Sequence, residues 1–299
     1  MKKKIPVIID CDPGADDALG ILLALYSGCI SVQGITSVCG NAPSLQTARN
    51  ATKMLHLFGT ETIRVYCGAN QPMERTLAFS TTYSGTDGLC DTGLQEQPSL
   101  LAEKSAKEYL VETLKNTAEP ITIVATAGFT NLAEALREDP DIASGIREIV
   151  AASGYFGLNQ KESRAEWNIL VDPEAAKVVY ASGIPVRAIG LDVSCMVEDA
   201  SVELLLADAN GKVGDFLKGC NQYNKKMGLR PYSLLVDGMA MAATIEPDIA
   251  MYQTGRVIMH PERNDAGLME FQAGEGTVRA AYQFDLPRYF NMLKGIVEK

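Results

Sequence analysis

The stretch VIIDCDPGADDALGILLAL, residues 7–25, joins an apolar β-branched run to a helical pattern through an octet that holds four aspartates: Asp10, Asp12, Asp16 and Asp17. Pro13-Gly14 predicts a tight turn, so Asp16 and Asp17 fall in the first turn of the helix that follows. A helix dipole stabilises each such acid by only about 0.3–1 kcal/mol. Four like charges at one strand end need a stronger partner. A hard divalent cation, Ca²⁺ or Mg²⁺, suits an all-oxygen donor set. Taken one by one, Asp16 and Asp17 also read as ordinary helix-start acids and Asp10 as a turn residue.

Working outward, short β-branched runs at residues 7–9, 32–38, 63–66, 121–126, 148–153 and 186–191 alternate with apolar residues at helical spacing at 16–28, 44–59, 105–116, 130–139 and 172–183. Several of these helical stretches close on glycine. The alternation predicts an α/β fold, a Rossmann-like, mostly parallel sheet with helices on both faces. We read residues 1–299 as a single domain. The tail EFQAGEGTVRAAYQFD, 270–285, predicts a hairpin, followed by a helix from 286 onward. Residues 208–233, with Gly211, Gly214, Gly219 and Gly228, read as a loop-and-helix segment able to act as a lid.

In such sheets ligands bind beyond the carboxyl ends of the strands. The aspartate octet follows the first strand, Cys39-Gly40-Asn41 the second, and Thr126 ends the fourth, so the chemistry-bearing residues stand where that rule places a site.

Composition narrows the partner. The 299 residues are 46% hydrophobic and carry a net charge of -10. That balance suits a soluble enzyme and opposes a nucleic-acid polymer, whose phosphates call for clustered Lys and Arg. No apolar run has membrane-span length, and residues 5–9 are too short for a signal-peptide core. Seven cysteines without a C-x-x-C pair argue against a disulfide framework and a structural zinc site. The expectation is a cytoplasmic protein with reduced thiols.

Asp10-Cys11-Asp12 after a strand also fits phosphatases of the haloacid dehalogenase type, although Pro-Gly and the Asp-Asp pair depart from that pattern. The rest of the chain separates the two. DPGADDA, with ITSVCGN (35–41), TAGFTNLAEAL (126–136), AEWNILVDPEAA (165–176) and VDGMAMA (236–242), resembles the nucleoside hydrolase family, in the same order along the chain. Members cleave the N-glycosidic bond of ribonucleosides with a tightly bound Ca²⁺. The resemblance implies Asp12 as general base and metal ligand, with Asp17, the backbone carbonyl of Thr126, and Asp237 as further ligands. It assigns the ribose hydroxyls to Asp16, Asn41, Glu166 and Asn168, with Asp237 shared. Asp10 stands behind these as a supporting partner. A homodimer or homotetramer is implied as well.

These residue types suit the chemistry. Cleaving a ribosyl C–N bond passes through an oxocarbenium-like state, so a site activates water, steadies positive ribose and eases departure of the base. Two departures bear on the last task. Val236 and Ser84 stand where many members carry histidines, and the chain's two histidines, His56 and His260, lie in unrelated contexts. Aromatic stacking is one substitute, with Trp167, Tyr83, Phe156, Tyr223 and Tyr232 as candidates; core packing beside the site is the other reading of Trp167. A leaving group that needs no proton, as in a ribosyl pyridinium such as nicotinamide riboside, is a second route. Gln160 stands where the family commonly has Asn to hold the ribose 5'-hydroxyl, and neighbouring Asn159 is an alternative. A protein that binds ribose or nucleoside without turnover remains the rival from another class.

Overall fold

The computed structural model describes residues 3–77, 84–159, 165–261 and 267–297. Its centre is a nine-stranded sheet in the order β3-β2-β1-β4-β5-β6-β9-β7-β8. The strands are β1 (Ile5–Cys11), β2 (Ile30–Ser37), β3 (Val65–Cys67), β4 (Ile121–Ala125), β5 (Ile146–Ala151), β6 (Val186–Ala188), β7 (Ala250–Met259), β8 (Met269–Ala273) and β9 (Val278–Phe284). From β3 through β6 to β9 every pairing is parallel, and β7 runs against both of its neighbours.

The helices that matter here are α1 (Asp17–Tyr26), α2 (Ser44–Leu57), α3 (Ala106–Asn116), α4 (Thr130–Glu138), α5 (Trp167–Val171), α6 (Pro173–Ala181), α7 (Leu191–Ser194), α8 (Asp199–Asp208), α9 (Gly211–Lys226), α10 (Val236–Ile245) and α11 (Leu286–Val297). The two-residue alternation of the strands explains why they flank both faces. In β1, Val7, Ile9 and Cys11 join a core with α1, α2, α8, α9, α10 and α11, whereas Ile8 joins one with α3, α4 and α6. Burying one such aliphatic side chain contributes about 1.5–3 kcal/mol. Both sheet faces need a helical cover, and the apolar runs of β1, β4 and β5 are the sequence trace of that need.

Local signals set the helix ends. Ser105 and Glu108 form a reciprocal capping box at the start of α3. Asp172 caps α6 by accepting from the Ala175 N–H at 2.9 Å, with Pro173 at its first position. Gly59, with φ of 70°, closes α2 while Thr60 N–H donates to the Leu55 carbonyl.

One expectation is corrected. β8 and β9 do not form a hairpin, because β7 lies between them and pairs with each. β7 itself, AMYQTGRVIM, escaped the sequence reading: exposed and buried residues are mixed along it, without clean alternation. Residues 208–233, expected as loop and helix, hold α9 and a 3₁₀ turn at Pro231–Leu235, with Gly211 (φ 66°) and Gly228 (φ 78°) at the two ends of the helix. Gly214 and Gly219 sit inside the 16-residue helix α9, and a Cβ at Gly214 would come within 2.6 Å of the Ala209 backbone.

All seven cysteines are free thiols. Among the described residues, no helix is long and apolar enough to cross a membrane.

Candidate active site

The strand order reverses at β1: β2 and β3 extend to one side, β4 to β6 to the other. Such a switch point opens a crevice beyond the strand ends. The loop after β1 and the end of β4 meet there, because Thr126 N–H donates to the Asp10 carbonyl at 2.9 Å.

Asp16 and Asp17 come from the N-terminus of α1, and Asp237 from the first turn of α10. The two helices pack closely, with Gly20 of α1 against the Asp237 carbonyl: a Cβ there would lie 3.6 Å from that oxygen. One carboxylate oxygen of each of Asp16, Asp17 and Asp237 lies within 4.8 Å of the others. That is the span of a single cation with oxygen ligands. Asp17 is held further by Gly14 N–H on Oδ2 at 2.8 Å and the Thr126 hydroxyl on Oδ1 at 2.6 Å.

Asp12 stands beside this trio, turned toward the loop after β2. Asn41 N–H donates to its Oδ2 at 2.6 Å, and the Asn41 side-chain amide donates to its backbone carbonyl at 3.0 Å. Gly40 is required by this approach, since a Cβ there would sit 1.9 Å from Asp12 Oδ2. Asp10 points away from the trio and accepts from Thr36 Oγ1 at 2.6 Å and Asn131 Nδ2 at 2.8 Å. These bonds tie it to β2 and α4 at the strand end.

Electrostatically the cluster is under load. Burial, and after it the charges of Asp17 and Asp16, hold the Asp12 carboxyl well above the usual range. Burial and then Asp16 push Asp17 up to about 8. Asp237 is raised by burial and by Asp16, Asp17, Asp12 and Glu166 in turn. Burial lifts Asp10 to about 6 against its two side-chain hydrogen bonds. The charged neighbours that shift Asp12, Asp17 and Asp237 are all carboxylates. Buried charge of one sign wants a counterion, and an all-oxygen set fits a hard divalent cation. Asp10 Oδ2, buried and without a hydrogen-bond partner, adds to the uncompensated acceptors.

Glu166 and Asn168 reach the same crevice from the start of α5. Glu166 caps that helix: its carboxylate accepts from the N–H groups of Asn168 at 2.9 Å, Ile169 at 3.2 Å and Gly154 at 2.9 Å. The Trp167 N–H lies against the same carboxylate, so backbone donors take up most of its roughly four acceptor positions. Asn168 Nδ2 donates to the carbonyls of Thr126 at 3.1 Å and Ala152 at 2.8 Å. Those bonds turn its remaining polar atom, an acceptor, to other partners. The Thr126 carbonyl expected among the metal ligands thus already takes one hydrogen bond.

Trp167 is 46% exposed, which removes the core-packing reading. Phe156 is buried edge-on against Phe271, with ring centroids 5.5 Å apart, away from a stacking role at the mouth. Asn159 donates its amide to the carbonyls of Asp192 and Tyr282, so it is tied to the scaffold. Gln160, Tyr83 and the Tyr232 side chain lie outside the described residues. His56 and His260 pair with Glu61 and Glu270 and take no part in the cluster.

A cavity of about 110 Å³ opens beside the carboxylates, lined by Asp16 and Asn41 at one end and by Ser84, Cys90, Asn224 and Ser233 further along. Sequence reading noticed Ser84 only as the place of a missing histidine. Its hydroxyl donates to Asn41 Oδ1 at 3.0 Å, so it orients the amide that grips Asp12. Asn131, Asn224 and Ser233 were missed as well. Asn131 sat inside the quoted stretch 126–136, but nothing local marks an asparagine that reaches back to the first strand.

Comparison with known proteins follows the same geometry. The sequence model described as inosine-uridine preferring nucleoside hydrolase matches residues 7–291. A pyrimidine-specific ribonucleoside hydrolase of Escherichia coli, RihA, is 43% identical over 190 residues, covering 64% of this chain and 61% of that protein. The matched stretch therefore spans about three fifths of the relative's own length. A purine-preferring ribonucleoside hydrolase from Gardnerella vaginalis superposes with a TM-score of 0.88 at 26% identity, over 98% of this chain and 99% of the other. A plant nucleoside hydrolase superposes at 0.87 with 28% identity, over 99% of both chains.

Proposed function

The chain belongs to the inosine-uridine preferring nucleoside hydrolase family, and on that premise we propose that it hydrolyses the N-glycosidic bond of ribonucleosides to ribose and free base with the help of Ca²⁺. The observation that carries this reading is the convergence of Asp16, Asp17 and Asp237 within 4.8 Å, beside Asp12, at the switch point of the sheet.

Asp17 and Asp237, with Asp12 and the Thr126 carbonyl, hold the cation in this reading, and Asp16 lies against the same set. When bound, the cation neutralises the buried charge and makes a water easier to deprotonate. Asp12 takes the water's proton. Burial keeps its carboxyl basic, and the Asn41 N–H holds one of its oxygens in place so that the other meets the water. Glu166 and Asn168, with Asp16, Asn41 and Asp237, receive ribose hydroxyls in this reading. Buried acceptors deprived of a hydroxyl are costly, which favours ribose over 2'-deoxyribose.

Apart from Asp16, the described residues lining the cavity are neutral, polar or apolar, and none is an imidazole. That lining suits departure of the base with a proton from solvent, or a ribosyl pyridinium that needs none. We read residues 1–299 as one domain of a cytoplasmic homodimer or homotetramer, which light scattering of the purified chain tests.

The deciding experiment is ribose release from uridine, cytidine, inosine, adenosine and nicotinamide riboside, with EDTA treatment and Ca²⁺ restoration. Release that falls with EDTA and returns with Ca²⁺ is expected. Binding of ribose with no release from any member overturns the hydrolase in favour of a binding protein.

A further inference from the structure

Two thiols meet behind the cavity wall. Cys90 lines the cavity and is 7% exposed, and its Sγ donates to Asn224 Oδ1 at 3.8 Å. Cys220 is fully buried and precedes Asn224 by about one turn of α9, on the same helix face. With its own hydrogen given to Asn224, the Cys90 sulfur is left as a weak acceptor for the Cys220 thiol. That hydrogen bond, and burial after it, hold Cys220 well above the usual thiol range. Both are free thiols, one facing the cavity and the other sealed behind it.

The two sides of the pair differ in backbone. Cys220 is inside the 16-residue helix α9, whereas Cys90 and its neighbour Asp91 hold φ of 56° and 52°, a left-handed conformation that side chains rarely adopt. Local contacts impose it: Asp87 Oδ1 accepts from the N–H groups of Leu89 at 2.8 Å and Asp91 at 3.0 Å, and Cys90 N–H donates to the Ser84 carbonyl at 2.8 Å. A displacement of Cys90 is passed on to the carboxylates. Ser84 Oγ donates to Asn41 Oδ1 at 3.0 Å, and Asn41 N–H donates to Asp12 Oδ2 at 2.6 Å.

We propose that Cys90 and Cys220 are a redox-sensitive dithiol site, which hydrogen peroxide entering through the cavity converts to a disulfide, drawing Cys90 out of its place in the wall and slowing ribose release. Cys90 Sγ attacks one peroxide oxygen: an S–O bond forms, the O–O bond breaks, and the thiol proton leaves with the other oxygen as water. Cys220 Sγ then attacks the Cys90 sulfur. The S–S bond forms, the S–O bond breaks, and the hydroxide leaves with the Cys220 proton as a second water. Two electrons pass from the dithiol to one peroxide. A cavity of about 110 Å³ admits an oxidant of that size. A pair that is reduced at rest and closes under oxidation is the form that disulfides take in reducing compartments. The disulfide itself is read without activity; only its effect on rate rests on the hydrolase reading.

The test treats the Ca²⁺-loaded full chain with hydrogen peroxide, maps disulfides by mass spectrometry of unreduced digests, and follows ribose release before and after dithiothreitol. A cross-linked peptide pairing Cys90 with Cys220 is expected. Ribose release is expected to fall about 10-fold or more and to return with dithiothreitol, since displacing a site by about 1 Å costs up to ~10²-fold. Cys220→Ala is expected to keep the untreated rate but lose the recovery, because Cys90 without its partner goes on to a sulfinic acid that dithiothreitol does not reduce. The wild-type cross-link stands by itself if that variant does not fold. Cys90 and Cys220 left as thiols while the exposed Cys29 is oxidised overturns the site, and a cross-link with unchanged ribose release overturns its control of the cavity. Absence of ribose release from the untreated chain overturns the hydrolase reading instead, and the cross-link still decides the dithiol.

Discussion

The hydroxyl of Thr126, one residue past the end of β4, donates to Oδ1 of Asp17 at the start of α1 over 2.6 Å. This contact joins two halves of the sheet across its switch point and aims the Asp17 carboxylate at Asp16 and Asp237. A hydrogen bond to a charged group contributes about 1.5–3 kcal/mol, and it favours the ionised form that a cation needs.

Thr126→Val, which keeps the shape and removes the donor, is therefore expected to weaken Ca²⁺ binding by about 10-fold, with Thr126→Ser close to wild type. Calorimetric titration with CaCl₂ measures both. Equal affinities in all three proteins would show that Asp17 is held without the hydroxyl.

The close approach of Gly40 to Asp12 makes a second prediction. Gly40→Ala puts a Cβ where the Asp12 carboxylate now lies and displaces it. Ribose release is expected to drop by about 10²-fold, the scale of a lost general base, while the far-ultraviolet circular dichroism is unchanged. Activity within two-fold of wild type counts against Asp12 as the base.

Asp237→Asn separates stability from function. Removing one of the crowded like charges is expected to raise the melting temperature of EDTA-treated protein by about 2–4 °C, because the burial and repulsion that lift the Asp237 pKa disappear. The same variant loses most of the stabilisation by Ca²⁺ and its hydrolysis. A lower melting temperature in EDTA with full Ca²⁺ response would contradict the cluster.

The pH dependence has a definite sign. Asp10 at about 6 and Asp17 at about 8 hold protons in the native state that the unfolded chain releases near 4. The native state binds more protons across that window, so stability without metal falls as pH rises from about 4 to 8. Ca²⁺ favours the ionised forms and reverses the trend. Scanning fluorimetry from pH 5 to 8 is expected to show a larger CaCl₂ gain at pH 8 than at pH 5. A gain independent of pH would mean that the Asp17 carboxyl does not face the cation.

Much of the site is legible in the sequence because its signals are local. A strand, a Pro-Gly turn and two acids on a helix start lie within residues 7–25, and the spacing alone puts Asp12, Asp16 and Asp17 at one strand end. Asp172 before Pro173 reads as a helix cap and is one. What was missed depends on partners far along the chain. β9 joins β6 and β7 instead of forming a hairpin with β8, since strand order is set by which edges meet in space and not by the nearest turn.

The sequence by itself determined the α/β alternation, the strand-end position of the acids and the chemistry they favour, because hydrophobic period, turn residues and carboxylate identity act over a few residues. Only the tertiary structure decided that Asp237 joins Asp16 and Asp17, that Ser84 orients Asn41, that Glu166 is partly occupied as a helix cap, and that Asn224 faces the cavity with its amide oriented by Ser233 and Cys90. The Asp237 and Asn224 contacts come from packing α1 against α10 and α9 against the loop that holds Cys90, and the Ser84–Asn41 bond from the meeting of two loops; contacts between such distant residues leave no periodic trace in the chain.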